Sequence, residues 1–308
     1  MAEDRAAQTA AQTAEWTSDD TADADLGRLS AGLDALEQPT PSTPLAPRSI
    51  WTSLWPPVLA VGLLLAVWWI VVALRLQPTY ILPGPDTVAA GIVDGVVSGE
   101  IPRAIANSLQ RAFLGFALSV LLGSLLGLAL ARIGWLRRGI GPLVTGLMVL
   151  PSVAWVPAAI LWFGISTQAM LFVVIMGATP SIANGLLGGI RQIPALYTKV
   201  GFVLGARGFA MIRFIVMPAA LPGYLGGLRQ GWAFAWRSLM AAELIAFSPA
   251  LGLGLGQLLD QGRELSDMSL VMATIIMILL VGIAVELCVF APLERRVLRN
   301  RGLADLRP

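Results

Sequence analysis

A series of long apolar segments constrains this sequence more than any other feature. A transmembrane helix needs about 20 predominantly apolar residues. Six segments meet that requirement, at about 55–74, 104–131, 142–162, 169–187, 221–247 and 269–290. Hydrophobic residues make up 56% of the chain and charged residues only 13%, about half of the charged share of a soluble domain. We therefore predict an all-α integral membrane protein with six transmembrane helices, in which proline and glycine are tolerated.

Arginine and lysine are concentrated in alternate links between these segments, whereas the remaining links are acidic or mixed. The links after the second and fourth segments, together with the C-terminal tail, carry Arg132, Arg137, Arg138, Arg191, Lys199, Arg207, Arg213, Arg295, Arg296, Arg299, Arg301 and Arg307. Short loops rich in basic residues stay in the cytoplasm. The pattern therefore predicts that both termini are cytoplasmic.

The first 48 residues differ in composition from the rest of the chain. They are rich in Ala, Thr, Asp, Ser and Pro and hold most of the acidic residues that precede the first apolar segment. Such a composition offers too little apolar surface to offset the entropy of ordering. A secretory signal is also excluded, because the start is acidic and no apolar core follows directly. We expect a disordered acidic cytoplasmic tail over 1–48 and a membrane domain over 49–308.

Several classes of chemistry lack the residues that they need. The chain contains no histidine and a single cysteine, Cys288, in an apolar run, so an internal disulfide and a histidine-based site are excluded. A membrane enzyme would need a reactive constellation that the sequence does not provide. No metal or other cofactor is expected to bind this chain.

The link between the fourth and fifth segments, about 191–222, is longer and less polar than a simple connector. Two stretches, 195–204 and 209–216, resemble short amphipathic helices. Gly205 and Gly208 separate the two stretches. Pro218 and Pro222 are expected to break the chain before the next span. An apolar and basic helical hairpin of this kind predicts a partner surface that covers its apolar side.

This loop resembles the signature of ABC-importer permeases, a Glu-Ala-Ala triplet, a glycine four positions after the last alanine, and then Ile-x-Leu-Pro. Gly205, Ile215, Met217 and Pro218 fall at the expected spacing. The resemblance extends through Leu82-Pro83-Gly84-Pro85, Asn107-Ser108-Leu109-Gln110-Arg111, Leu161-Trp162-Phe163-Gly164 and Glu294-Arg295-Arg296. It covers about 78–300, with a family core at about 100–296, and is similar above all to the branch that imports nitrate, sulfonates and taurine.

The resemblance implies a type I permease-like bundle in the bacterial cytoplasmic (inner) membrane. It also implies four kinds of partner: a second copy of the chain, two ATP-binding cassette ATPase subunits, an extracytoplasmic solute-binding protein and the lipid bilayer, with no nucleic acid. ATP-Mg would be bound by the ATPase subunits. The expected solute is a small anion, first an aliphatic sulfonate, then taurine, nitrate or bicarbonate, and a pyrimidine-type solute stays open. Coupling to the ATPase is expected to involve Lys199, Val200, Gly201, Gly205, Ala206, Ile215 and Pro218.

The sequence departs from the family signature at the triplet, which here reads Lys199-Val200-Gly201. A salt bridge made by the usual glutamate cannot form with a lysine. The first interpretation is that apolar packing carries the contact and the acid is dispensable. The alternative is that the partner ATPase carries a compensating acid.

The nucleotide chemistry itself is absent from this chain. A phosphate-binding loop ends in Gly-Lys-Ser/Thr, but the only lysine, Lys199, lies between threonine and valine. The glycine run from Gly252 to Gly256 is not followed by a lysine. A stand-alone secondary transporter is the alternative function, but it would need carboxylates at mid-membrane and usually an internal repeat. Glu243 is the only candidate carboxylate, and no repeat is evident.

Charged residues inside the predicted spans are costly and usually paired or functional. Arg237 lies mid-span and could bind an anion or pair with an acid, whereas Glu243, six positions further, does not share its helix face. Arg111 lies near the outer face, where its side chain could reach the membrane interface, and a structural role is preferred for it. Glu286 is expected to be solvated or paired with an arginine. The candidate translocation-path residues are Arg237, Trp236, Trp232 and Glu243, with packing as the default role of the two tryptophans.

Overall fold

The structure is a computed structural model that describes residues 50–246 and 252–299. The predicted acidic tail over 1–48 lies outside the described residues, as does the end of the basic C-terminal tail. All regular secondary structure in the described part of the chain is helical, which confirms the predicted fold class.

Twelve α-helices follow one another along these residues. In chain order they are α1 (Ile50–Ala73), α2 (Pro85–Val97), α3 (Glu100–Arg132), α4 (Gly134–Val149), α5 (Val156–Phe163), α6 (Thr167–Arg191), α7 (Ala195–Val203), α8 (Gly208–Met211), α9 (Met217–Ile245), α10 (Leu255–Glu264), α11 (Met268–Val285) and α12 (Ala291–Arg299). A π-helical turn, Ile212–Val216, joins α8 to α9, and a second, Glu286–Phe290, joins α11 to α12.

Five helices are long and apolar enough to cross a membrane, and a bent pair brings the number to six if it counts as one span. The pair is Gly134–Val149 with Ser152–Phe163, and its two parts meet at 103°. The prediction of one uninterrupted third helix over 142–162 is therefore wrong. Pro151 causes the break, because proline removes a backbone donor and pushes the residue before it toward an extended conformation. Leu150 has that conformation, with ψ at 122°.

The core of the bundle is α6, which packs against α3 on one side and α9 on the other. Glycines allow the backbones to touch: a Cβ on Gly223 would lie 2.6 Å from the Cα of Gly189, and one on Gly127 would lie 2.8 Å from the carbonyl oxygen of Ala183. Small residues at four-residue spacing permit such close approach in membranes. The structure thus confirms the packing role that their spacing predicts.

The link after α6 contains two helices, as predicted, but the second is continuous with the span that follows. α8 runs through its π turn directly into α9, giving one helix from Gly208 to Ile245. Pro218 lies in the first turn of α9, where a missing N–H is tolerated. Pro222 lies inside the helix, where membrane bundles accommodate proline. The expected chain break at these two prolines is wrong.

Candidate translocation path and docking surface

A buried carboxylate lies where α3, α9 and α10 meet. Glu243 on α9 is fully buried. Its carboxylate accepts hydrogen bonds from Arg111 Nη1 at 2.7 Å, Ser108 Oγ at 2.7 Å and the backbone N–H of Gly256 at 3.0 Å. The last donor belongs to the first turn of α10, whose N-terminal dipole favours a negative charge. A buried charge is stable only when it is paired and hydrogen-bonded, and Glu243 satisfies both conditions.

The polar residues of α3 also hold the glycine run that precedes α10. Arg111 Nη2 donates to the carbonyl of Gly252 at 3.0 Å, and Asn107 Nδ2 donates to the carbonyl of Leu253 at 2.8 Å. The backbone N–H of Leu255 donates to Ser108 Oγ at 2.9 Å. Arg111 is 6% exposed, so the interpretation that its side chain could reach the membrane interface is wrong. Inside the bundle its guanidinium donates to the carboxylate of Glu243 and to the carbonyl of Gly252.

The glycine run has no room for side chains beside this carboxylate. A Cβ on Gly254 would lie 2.5 Å from Glu243 Oε1, and one on Gly256 would lie 2.6 Å from Glu243 Cβ. The run and the polar motif at 107–111 are therefore two halves of one contact. This contact explains why glycines occur in the run and polar residues at 107–111, two features that the sequence alone left unconnected.

Trp232 and Trp236 are packing residues in the core of the described bundle. They are 3% and 7% exposed, and their rings stack with centroids 6.3 Å apart. Trp232 also contacts Phe116 and Phe290, at 5.4 and 6.2 Å between centroids. Both indoles are thus turned away from the surface on which Arg237 lies.

Arg237 is exposed on α9. Its Nε donates to the carbonyl of Ala233 at 3.2 Å, and its guanidinium carbon lies 4.9 Å from the Phe234 ring centroid. Both contacts are with its own helix, and no acidic side chain among the described residues forms a salt bridge with it. Its charge is therefore not neutralised within the described part of the protomer.

The face of α9 that carries Arg237 is lined by small and polar side chains. Gly226, Gln230, Ala233 and Arg237 are all exposed, and their spacing of three or four residues places them on one side of the helix. The exposed side chains of α1 are instead large and apolar, as lipid contact requires. We call the four-residue face the α9 stripe. Charged residues in spans usually face a water-filled cavity or another helix rather than lipid.

The break between α4 and α5 contacts the buried side of α9. Ser238 is 0% exposed, and its Oγ lies 2.7 Å from Ser152 Oγ and 2.6 Å from the carbonyl oxygen of Phe234, as the donor in both contacts. A hydroxyl has one proton, so Ser238 donates to one of these two acceptors at a time. Ser152 begins the short 3₁₀ turn at the bend. A broken helix with polar groups at its break is tolerated at membrane depth only where protein or water surrounds it.

The helix α7 presents an exposed apolar face. Leu196, Tyr197, Val200, Val203 and Leu204 are between 48% and 84% exposed, and their spacing places them along one side of the helix. We call this face, together with the exposed side chains of the turn that follows up to Phe214, the α7 surface. It borders a groove of about 1070 Å³ between α7 and the start of α9.

Two glycines fix the position of α7. A Cβ on Gly201 would overlap Ile215 and would lie 3.1 Å from the sulfur of Met211, so α7 lies directly against the π turn. Gly205 ends α7 with a φ of +82°. Its N–H donates to the Phe202 carbonyl at 3.0 Å, and the N–H of Ala206 donates to the Gly201 carbonyl at 2.9 Å. This pair of bonds is a Schellman motif, in which a left-handed glycine closes a helix.

More than half of the chain matches a known protein family. Residues 119–299 match the family of binding-protein-dependent transport system inner membrane components. The chain belongs to this family. It is accordingly an ABC-importer permease.

Curated permeases of several transport systems resemble this permease over most of their length. The aliphatic sulfonates permease SsuC of Escherichia coli is named putative and is 31% identical, over 73% of this chain and 83% of its own. The taurine permease TauC of the same species is 29% identical, over 77% and 86%. The riboflavin permease RibX of Chloroflexus aurantiacus is 31% identical, over 85% and 98%.

The structure distributes the predicted site residues of the permease over three places. Lys199, Val200, Gly205, Ala206, Ile215 and Pro218 lie on or beside the α7 surface and its groove, with Gly201 buried beneath them. Arg237 lies on the α9 stripe, apart from Trp232, Trp236 and Glu243. Glu286 pairs with Arg229, which confirms its predicted arginine partner.

Sequence reasoning missed the roles of Asn107, Ser108 and Arg111, although their polar character within an apolar span was a usable signal.

Proposed function

We propose that this permease forms the translocation pathway of an ATP-driven importer for a small anionic solute, with an aliphatic sulfonate as the first candidate. It acts as a homodimer with two ATPase subunits and an extracytoplasmic solute-binding protein, in the bacterial cytoplasmic membrane with both termini inside. Family membership supports the transport role. The named solutes of two relatives, taurine and aliphatic sulfonates, support a sulfonate group.

The proposal of an anionic solute rests mainly on the exposed guanidinium of Arg237. It is a cation in the middle of a membrane helix, on a face of small residues, with no acid among the described residues to neutralise it. In a twofold dimer whose axis runs beside the α9 stripe, the two copies of the stripe face the same space between the protomers. A guanidinium presents fork-shaped donors that match an oxyanion. Two copies of Arg237 would therefore give the pathway a positive potential.

The polar break between α4 and α5 supports the same location for the pathway. Ser152, at a bend whose backbone lipid could not satisfy, contacts Ser238, the residue that follows Arg237 in the chain. Small side chains at Gly226 and Ala233 leave room beside the α9 stripe for a solute. A passing anion would thus meet donors and open space rather than a lipid-facing surface.

The α7 surface is the proposed docking site of the ATPase subunit. Its apolar side chains are too exposed to be stable alone against water, and the groove beside them is concave. The chain lacks a phosphate-binding loop, so ATP hydrolysis must come from a partner. Movement of the ATPase would reach the pathway directly, because the π turn beneath α7 continues into α9 as one helix.

Transport by the reconstituted complex tests this function. Proteoliposomes that contain the permease, its ATPase and its binding protein should accumulate a labelled alkanesulfonate only when ATP is supplied on the ATPase side. Excess unlabelled taurine or nitrate should compete if the pathway selects for an anion, whereas riboflavin should not. Uptake that needs an ion gradient but no ATPase subunit would favour the secondary transporter. Competition by riboflavin alone would overturn the anionic solute.

A further inference from the structure

Basic side chains border the α7 surface. Arg191, Lys199, Arg207 and Arg213 are all exposed. None of the four forms a salt bridge with a described residue, and the sequence contains no Asp or Glu between Glu100 and Glu243. Arg207 is held over the Phe202 ring, with its guanidinium carbon 5.0 Å from the centroid. Within the described part of the chain, the surface is therefore an apolar face whose positive edge forms no salt bridge.

Lys199 occupies a defined place at this edge. On a helix with 100° per residue, the five side chains Leu196, Tyr197, Val200, Val203 and Leu204 span one arc, and Lys199 falls beside Val203 just outside it. A partner that covers the apolar arc must therefore approach the ammonium group. Removal of that group from water without a counter-charge would be costly, so the partner must supply an acceptor there.

Two acids among the described residues pair with an arginine in the first half of α9. Arg229 pairs with Glu286 and also lies 3.5 Å from Glu294. Among the described residues, no acid forms a salt bridge with Lys199, Arg207 or Arg213. A counter-charge for Lys199 is therefore not supplied by the described part of the chain.

We propose that the ATPase subunit presents an apolar groove rimmed by carboxylates, one of which pairs with Lys199. This inference rests on the proposed function, because it assumes that the α7 surface receives the ATPase. A partner protein fits better than the bilayer surface, because a groove can enclose the apolar arc of α7 and place a carboxylate at its edge, whereas a flat layer of headgroups cannot. The paired carboxylate sets the orientation and rate of docking more than its strength.

Binding of the purified ATPase subunit to the permease in nanodiscs of neutral phosphatidylcholine tests the inference. Lys199→Glu should raise the Kd about tenfold at low ionic strength, and the difference should shrink as salt screens the pair. Lys199→Arg, which keeps the charge, should bind like the wild type. Arg137→Glu is the matched control, because Arg137 is an exposed arginine of α4 outside the α7 surface, and it should leave the Kd unchanged.

Several results would overturn the carboxylate partner. Equal or tighter binding of Lys199→Glu would do so, as would an equal loss in Arg137→Glu, since that would indicate general electrostatic steering. A loss that appears only in nanodiscs with anionic lipid would assign Lys199 to headgroups. If the wild-type permease binds no ATPase at all, the proposed docking function itself fails, and that outcome is distinct. An acid-to-lysine change in the ATPase that restores binding to Lys199→Glu would identify the carboxylate directly.

Discussion

Glu243 accepts a 2.7 Å hydrogen bond from Arg111, which lies 132 positions earlier in the chain. The two side chains are 0% and 8% exposed, and Ser108 and Gly256 complete the environment of the carboxylate. The pair fastens α3 to α9 and holds the glycine run in front of α10. Removing one partner of such a buried pair lowers the stability of the fold more than removing both, because one unpaired charge then remains in the core.

We predict that Glu243→Gln destabilises the permease strongly, by roughly 3–5 kcal/mol in the general case of a broken buried pair. Arg111 would lose its counter-charge while it stayed enclosed. The expected result is a lower thermal unfolding midpoint of the detergent-purified protein and a smaller yield in the membrane. Arg111→Gln should behave similarly, because it strands Glu243.

The double variant Arg111→Gln, Glu243→Gln is the decisive comparison. It removes both charges and should recover a substantial part of the stability lost in either single variant. Arg137→Gln is a suitable control, because Arg137 is an exposed arginine of α4 that forms no salt bridge with a described residue. Its loss strands no buried acid, so the control should unfold like the wild type. Strictly additive losses in the double variant would contradict the pairing.

The sequence contained the elements of this site but not their assembly. Length and hydropathy located the spans because a bilayer imposes a minimum apolar length. The pairing of Arg111 with Glu243 joins distant positions, and no local pattern encodes which buried acid meets which buried base. Helix-face geometry correctly separated Glu243 from Arg237, since six positions place two residues on different sides of a helix.

We predict that Arg237→Gln lowers sulfonate uptake while leaving assembly and thermal stability near normal. Arg237 is exposed and contacts only its own helix among the described residues, so its loss strands no buried acid. Glutamine keeps much of the length and some hydrogen-bonding capacity but no charge. The measurement is the initial rate of ATP-dependent uptake in proteoliposomes, beside the basal ATP hydrolysis of the same complex.

Arg237→Lys separates charge from shape in this experiment. It should retain more uptake than Arg237→Gln, because the positive potential remains although the fork geometry is lost. Unchanged uptake in Arg237→Gln would remove Arg237 from the pathway. A loss of assembly in that variant would instead assign the side chain to a structural contact between protomers.

The acidic tail provides a prediction that depends on composition alone. Deletion of residues 2–47 should leave ATP-dependent uptake unchanged, because these residues show no apolar periodicity that would let them pack against the bundle. The measurement is uptake normalised to the amount of permease in the membrane. Loss of uptake despite normal insertion would contradict this prediction and would assign the tail a role in transport.

Two misjudged elements show where local rules fail in a membrane. Pro151 ended a helix that the apolar run predicted as continuous, and Pro218 and Pro222 did not end one that they were expected to break. The difference lies in position and surroundings. Pro218 falls in a first turn and follows a π turn, whereas Pro151 precedes a 3₁₀ turn whose Ser152 meets Ser238 of α9. Tertiary partners, which the sequence does not display, decide between a break and a continuation.

Gly205 offers the sharpest test of the α7 surface. Its φ of +82° is a left-handed conformation that costs an L-residue about 1–2 kcal/mol, while no other atom lies within 4 Å of the position that a Cβ would take. Substitutions there should therefore act through backbone strain alone. We predict that Gly205→Val loosens the Schellman closure of α7 and weakens retention of the ATPase, with Gly205→Asn affected least because asparagine tolerates this conformation best.

Gly188 supplies the matched control for this series. It lies inside α6, and a Cβ there would also meet nothing within 4 Å, but its backbone is not left-handed. Gly188→Ala should retain the ATPase fully and should unfold no earlier than the wild type, since alanine favours a helix interior by up to about 1 kcal/mol. The ATPase that co-purifies per permease, measured for each variant, should fall in the order asparagine, alanine, valine at position 205. Retention that is equal for all three would show that the end of α7 does not govern docking.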